Sequence, residues 1–143
     1  MIAPDANLLI YAYSPADRFH AAAREWMQNI FSSTHPIGIP ILSIHAFLRV
    51  VTHPRVPSGP ISFQRAAEII NSWLVLPNVR ILYPGDRHWF ILQQLSEEMG
   101  LTGALVTDAA LASIAIEHGA TIHTNDRDFV RFPDLRWHNP LQA

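Results

Sequence analysis

The chain has 143 residues, of which 49% are apolar and 15% are charged, and this predicts one compact domain over residues 1–143. There is no cysteine, which excludes disulfides, thiolate nucleophiles and cysteine zinc sites. All ten basic residues are arginine, which excludes a Walker A lysine and Schiff-base catalysis, and a net charge of −2 provides no global basic field for nucleic acid.

The N-terminal half alternates short apolar runs with helix-length segments. In chain order it predicts a strand over 1–4, helices over 6–13 and 19–31, a strand over 37–39 and a helix over 40–52. Pro15 ends the first helix, and Pro40 fits the first turn of the third. The start of the chain lacks the basic region and long apolar core of a signal peptide or membrane span, so we expect a cytoplasmic protein with no membrane partner.

Helix caps mark the elements of the C-terminal half, after a proline-rich loop over 53–60. Ser62 is a candidate N-cap of a helix reaching Leu74, and Asp86 of a helix that ends at Gly100. The remaining elements are a strand over 79–82, a helix over 105–118 closed by Gly119, and strands over 121–123 and 135–138. This alternation predicts an α/β fold with a mostly parallel sheet flanked by helices.

Carboxylates follow two of the predicted strands. Asp5 follows the first strand and Asp126 the fourth, so both should lie at the carboxyl edge of a parallel sheet. Asp108 falls in the first turn of the helix that leads into the fourth strand. Taken singly, each acid is more often a helix cap or a stabilising first-turn residue than a ligand.

Taken together, these acids suggest a cation. Converging carboxylates repel one another unless they are protonated or bridged by an ion. A hard divalent ion such as Mg²⁺ or Mn²⁺ takes oxygen ligands and lowers the pKa of a bound water, the chemistry of phosphodiester hydrolysis.

Four segments carry a family resemblance: DANLLIYA from residue 5, AFLRVVT from residue 46, LTGALVTDA from residue 101 and TNDRDF from residue 124. In this order they resemble the PIN-domain ribonucleases, specifically the VapC-type toxins of bacterial toxin–antitoxin pairs. The resemblance implies a three-layer fold and an RNA-cleaving endonuclease, usually homodimeric, that uses Mg²⁺ or Mn²⁺ and is held inactive by a VapB-type antitoxin.

The resemblance also assigns roles to individual residues. The metal ligands would be Asp5, Asp108 and Asp126, with Asp128 as an additional acid of the catalytic set. The groups that orient them would be Asn7, Thr124 and Asn125.

One position departs from the family pattern. Ala46 stands where a glutamate usually precedes the Phe-Leu-Arg run, and His45 points about a quarter turn away around the helix. We therefore expect an active enzyme with weaker metal affinity, while a catalytically impaired module that acts by binding RNA or an antitoxin is the alternative.

Arginines supply the candidate substrate contacts. Arg49 shares a helix face with Ala46 and would bind a substrate phosphate or pair with one of the aspartates. Arg127 lies beside the acids, and with Arg55 and Arg131 it could form a local positive rim. The histidines show no metal-binding spacing. The large aromatic residues predicted to be in the core, with a partner groove or dimer interface left open, are Trp26, Phe31, Trp73 and Trp89.

Overall fold

A computed structural model describes residues 1–142 and contains a fully parallel five-stranded sheet with helices on both faces. The strands are β1 (Ile2–Pro4), β2 (Ile37–Pro40), β3 (Val79–Leu82), β4 (Thr121–His123) and β5 (Arg136–His138). The helices are α1 (Ala6–Ala12), α2 (His20–Phe31), α3 (Ile41–Val51), α4 (Phe63–Leu74), α5 (His88–Met99) and α6 (Ala104–His118), followed by a short 3₁₀ helix (Arg127–Arg131). The predicted α/β class and parallel sheet are confirmed. The domain prediction ends at Ala143, which lies outside the described residues.

The strand order β3-β2-β1-β4-β5 places the site-forming strands at the centre of the sheet. The chain winds outward from β1 in one direction through β2 and β3, and in the other through β4 and β5. The order therefore reverses between β1 and β4, where ligands of open α/β sheets bind outside the carboxyl ends of the strands. Pro4 pairs with His123, so the residues that follow, Asp5 and Thr124, leave the sheet side by side.

Two apolar cores lie on opposite faces of the sheet. One packs α1, α2, α3 and α4 against inward-facing residues such as Ile37 and Ile39. The other packs α5 and α6 against Ala3, Leu82 and Ile122. The alternation of side chains along each strand feeds both cores, which gives the three-layer arrangement. Within the described chain, no helix is long and apolar enough to cross a membrane.

The termini of three helices match the sequence prediction. Ser62 caps α4 by accepting a hydrogen bond from the Arg65 backbone N–H at 3.0 Å. Gly100 and Gly119 end α5 and α6 in the left-handed conformation, with φ of 62° and 66°.

Three details of the prediction were wrong. Pro40 is the last residue of β2, paired with Leu82 of β3, rather than part of the α3 first turn. Asp86 does not cap α5, because the N-cap position is Arg87. The Glu117 carboxylate accepts from the backbone N–H groups of Gly85 and Arg87 just before that helix. Trp89 is 69% exposed instead of lying in the core.

Candidate active site

The end of β1 is tied to the end of β4 through Asp5. Its backbone N–H donates to the His123 carbonyl at 2.9 Å. One carboxylate oxygen, Oδ2, accepts from the Thr124 hydroxyl at 2.7 Å, and Oδ1 accepts from the Ala6 N–H at 2.7 Å as the cap of α1. The Asp5 side chain is therefore held in one orientation at the reversal point of the sheet.

Thr124 organises three neighbours around one buried hydroxyl. Because its hydrogen is donated to Asp5, its oxygen accepts from the Asp126 N–H at 3.0 Å and from Asn7 Nδ2 at 3.3 Å. This arrangement fixes the orientation of the Asn7 amide, since only its nitrogen has a hydrogen to offer. The opposite atom, Asn7 Oδ1, is buried and has no hydrogen-bond partner in the described part of the chain.

Asp126 begins the 3₁₀ helix that carries the next acid. Its Oδ1 accepts from the Asp128 N–H at 2.9 Å, an N-cap interaction. Phe129, within that helix, is buried in the core and anchors the segment. The sequence TNDRDF thus folds into a turn that presents two acids beside Asp5.

Asp108 approaches the same place from α6. It is the fifth residue of this helix, which begins at Ala104, so the prediction of a first-turn acid was wrong. Burial raises the pKa of Asp108, and the negative charges of Asp126 and Asp128 raise it further. These couplings show that the α6 acid and the acids after β4 share one electrostatic environment.

The pKa of Asp5 reflects both its burial and the charges of the neighbouring carboxylates. Burial raises the pKa of Asp5 to about 6, partly opposed by the hydrogen bonds from Thr124 and Ala6, and the charges of Asp108 and Asp126 add to the rise. No arginine relieves this repulsion: among residues 1–142 the sole ion pair joins Arg65 and Glu68 on the exposed face of α4. The alternative in which Arg49 pairs with an aspartate is therefore not observed.

These residues suit a hard cation that keeps much of its water. Within residues 1–142, no group of three or more His, Asp or Glu side chains lies close enough together to hold a metal ion by itself. The possible ligand atoms near Asp5 are oxygens, the neighbouring charges of Asp108 and Asp126 repel the Asp5 carboxylate, and Asn7 Oδ1 is buried with no hydrogen-bond partner among residues 1–142. Mg²⁺ and Mn²⁺ bind in this way, through one or two carboxylates and several waters.

The remaining predicted site residues lie in different surroundings. Asn125 Oδ1 accepts from Asn139 Nδ2 at 2.9 Å, so this amide contacts buried Asn139 rather than the acids. Arg127 is exposed at the start of the 3₁₀ helix. Arg49 is exposed on the last turn of α3 and lines a surface cavity.

Ser43 is a site residue that the sequence did not reveal. Its hydroxyl donates to the Pro4 carbonyl at 2.8 Å in a buried contact that holds the start of α3 against the end of β1. Ala46 lies three residues later on the same helical face as Ser43. A serine in an apolar helix gives no sequence signal for a partner 39 residues away.

The whole fold, and not only the acidic edge, is shared with known proteins. Residues 2–135 match the family described as PIN domain. The chain belongs to this family. The PIN-domain family that the four sequence segments predict is therefore confirmed.

Two relatives and one solved structure show how far the similarity extends. Ribonuclease VapC33 of Mycobacterium tuberculosis is 39% identical over 142 residues, covering 99% of both chains. VapC ribonuclease Mb2897 of Mycobacterium bovis is 38% identical, covering 100% of this chain and 97% of the relative. The PIN domain also resembles the crystal structure of VapBC2 from Rickettsia felis with promoter DNA, at a TM-score of 0.68 and 22% identity, covering 97% and 98% of the two chains. This last likeness concerns the fold, whereas the full-length identities place the chain among the VapC proteins.

Proposed function

We propose that this PIN domain is a cytoplasmic endoribonuclease toxin that hydrolyses RNA phosphodiester bonds with the help of Mg²⁺ or Mn²⁺. The observation that supports it is the set of coupled acids around Asp5, with a pKa raised to about 6 and no arginine counter-ion among the described residues. The names of the VapC relatives support the choice of RNA as the substrate.

Each residue of the site has a proposed task. Asp5, Asp108 and Asp126 would hold the ion, one or two of them directly and the others through its water molecules. The Thr124 hydroxyl would fix the orientation of the Asp5 carboxylate and of the Asn7 amide. A bound divalent ion supplies an acidified water and neutralises charge on the phosphoryl oxygens. Asp128 is exposed beside these acids and would accept the proton released by the attacking water.

The proposed RNA contacts come from arginine. Arg49 and Arg127 are exposed, and within residues 1–142 neither forms an ion pair, so their guanidinium groups are available to phosphate. Asn125 would act indirectly, because its hydrogen bond from Asn139 would hold the backbone that joins Thr124 to Asp126 in place.

The partners are proposed from the relatives. The similar fold of a VapBC2 complex supports a VapB-type antitoxin as the protein that keeps the enzyme inactive. A homodimer is proposed from the family resemblance.

The test is to incubate purified chain, free of antitoxin, with total cellular RNA and Mg²⁺ or Mn²⁺, and to map new 5′ ends. We expect discrete cleavage that EDTA and Asp126→Asn both abolish. Asp134→Asn is the matched control, because it removes the same charge from an exposed turn whose φ of 65° asparagine tolerates. Intact RNA with folded protein and metal would contradict the proposal and favour the impaired binding module.

Ala46 provides a second test that separates the two candidates. Ala46→Glu restores a carboxylate on the α3 face that Ser43 holds against β1, so it should lower the Mn²⁺ concentration for half-maximal cleavage by about tenfold. His45→Glu adds the same charge one residue away, on an exposed part of the helix, and should leave that concentration unchanged. Cleavage that appears only in Ala46→Glu would show that the natural chain is an impaired module.

A further inference from the structure

A second polar feature lies beyond the acids, at the end of α3 and in the loop that follows. It is a surface cavity of about 500 Å³. Its lining residues are Arg49, Val50, His53, Arg55, Val56 and Pro57. We call it the Arg55 cavity. The lining combines an apolar floor with three nitrogen-bearing side chains and contains no carboxylate.

The nitrogen groups of this cavity are free to bind a ligand. Neither Arg49 nor Arg55 has a carboxylate within ion-pair distance among residues 1–142. The His53 ring uses Nδ1 to accept from the Arg55 backbone N–H at 3.0 Å. Since a backbone N–H can only donate, Nδ1 carries no hydrogen there and Nε2 remains as a donor. The cavity therefore offers hydrogen-bond donors without competing acceptors from acids, which suits an anion with an apolar part.

The Arg55 cavity reaches α1 through a smaller cavity beside it. This adjoining cavity of about 200 Å³ shares Val50, Val56 and Pro57 with it and is also lined by Ile10 and by the acid Asp17. Ile10 lies three residues after Asn7 on α1, or roughly 4.5 Å along the helix axis. A strand whose scissile phosphate lies at the acids would have to travel only a few nucleotides to reach this surface.

We propose that the Arg55 cavity binds a nucleotide of the RNA substrate a few positions from the scissile bond. Arg49 and Arg55 would hold a phosphate, His53 would donate to a ribose or base acceptor, and the base or sugar would pack on Val50, Val56 and Pro57. This inference rests on the proposed function, because it takes RNA as the substrate. The inference adds a subsite that attracts phosphate. The chain has a net charge of −2, and the acids of its active site repel phosphate.

The experiment measures RNA binding separately from cleavage. A fluorescent pool of about 12-nucleotide single-stranded RNA is titrated with Asp126→Asn protein in EDTA, and the anisotropy is recorded at several salt concentrations. Adding Arg55→Gln to this background should weaken binding about tenfold. The slope of log affinity against log salt should fall in magnitude by about 0.7, the value for one lost phosphate contact on a single strand.

Arg80→Gln is the matched control. Arg80 is exposed and lines a different cavity, also of about 500 Å³, near Met1 and Ile37 at the opposite edge of the sheet. Arg80→Gln removes the same charge as Arg55→Gln, so a general electrostatic effect would weaken RNA binding equally in the two variants. We expect RNA affinity and salt slope to be unchanged in Arg80→Gln.

Three results would overturn the inference. Equal RNA affinity with and without Arg55→Gln would show that the cavity is not an RNA subsite, while cleavage by the wild-type chain would leave the proposed function intact. Loss of a co-expressed antitoxin on Arg55→Gln, with RNA affinity retained, would assign the cavity to a protein partner. Absence of RNA binding by the Asp126→Asn parent would also reject the subsite, and if the wild-type chain did not cleave RNA either, the proposed function would fail as well.

Discussion

At the scale of single residues, the pKa of Asp5 is set mainly by burial, with opposing contributions from hydrogen bonds and from neighbouring carboxylates. Thr124 and Ala6 donate hydrogen bonds that favour the charged form, but burial and the charges of Asp108 and Asp126 prevail and raise the pKa to about 6. The sequence predicts that these acids lie at one sheet edge, because the order of strands and helices dictates it. It does not predict that Asn125 turns toward Asn139, since that contact depends on the path of the chain after the 3₁₀ helix.

The raised pKa of Asp5 predicts a pH-dependent stability. Between about pH 4 and 6 the folded chain binds a proton at Asp5 that the unfolded chain has lost, so the free energy of unfolding falls as pH rises through this range. A rise from 3.8 to about 6, at about 1.36 kcal/mol per pKa unit, corresponds to a loss of at most about 3 kcal/mol. Urea unfolding of the metal-free wild type and of Asp5→Asn at pH 4 and pH 7.5 measures this, because asparagine does not titrate.

The stability of the wild type relative to Asp5→Asn should therefore be highest at pH 4 and decrease toward pH 7.5. Adding Mn²⁺ at pH 7.5 should raise the unfolding temperature of the wild type and have little effect on the variant, since the ion binds only the folded state. A stability difference that does not change with pH, or equal stabilisation of both proteins by Mn²⁺, would contradict this account.

At the scale of secondary-structure elements, local signals predicted helix ends that depend on neighbouring residues and missed a contact that depends on a distant one. Ser62 and Gly100 act on their own helices, so the sequence identifies them. The start of α5 is instead held by Glu117, which lies 30 residues beyond Arg87. The prediction that Trp89 lies in the core was wrong. Trp89 precedes buried Ile91 by two residues, which places it about 200° away from Ile91 around α5, so it faces away from the core.

The packing of β2 against β3 gives a prediction at this scale. A Cβ atom built on Gly38 would lie 2.5 Å from Leu82 Cγ, and Leu82 is fully buried. Gly38→Ala should therefore lower the free energy of unfolding by about 1–3 kcal/mol, measured by urea titration. Leu82→Ala removes the Cγ and Cδ atoms, so in that background the same change should cost little. Equal costs in both backgrounds would show that the clash with Leu82 is not the cause.

At the scale of the whole molecule, the acidic edge and the Arg55 cavity would have different roles. The acids would bind the metal ion, and the Arg55 cavity would attract RNA, which the net charge of the chain does not. A chain with twelve acids and ten arginines has no overall attraction for RNA, so the proposed RNA affinity would have to come from local groups such as Arg49 and Arg55. The residue pattern predicted the class of fold and the family, because strands, helices and four motifs occur in order. The cavity was not predicted, since it requires the path of the loop after α3 and the packing of that loop beside α1.

The chain should arrest growth when it is expressed in a bacterial host without an antitoxin, because uncontrolled RNA cleavage stops protein synthesis. Asp126→Asn should permit growth, and Asp134→Asn, which removes one charge from an exposed turn, should arrest it as the wild type does. Co-expression of a VapB-type antitoxin, the partner proposed above, should restore growth, and the antitoxin should co-purify with the chain. Colony counts and growth curves after induction measure these outcomes, with immunoblots to confirm equal amounts of each variant.

Equal arrest by the wild type and Asp126→Asn would show that the toxicity does not depend on Asp126. The proposed endoribonuclease mechanism would then fail.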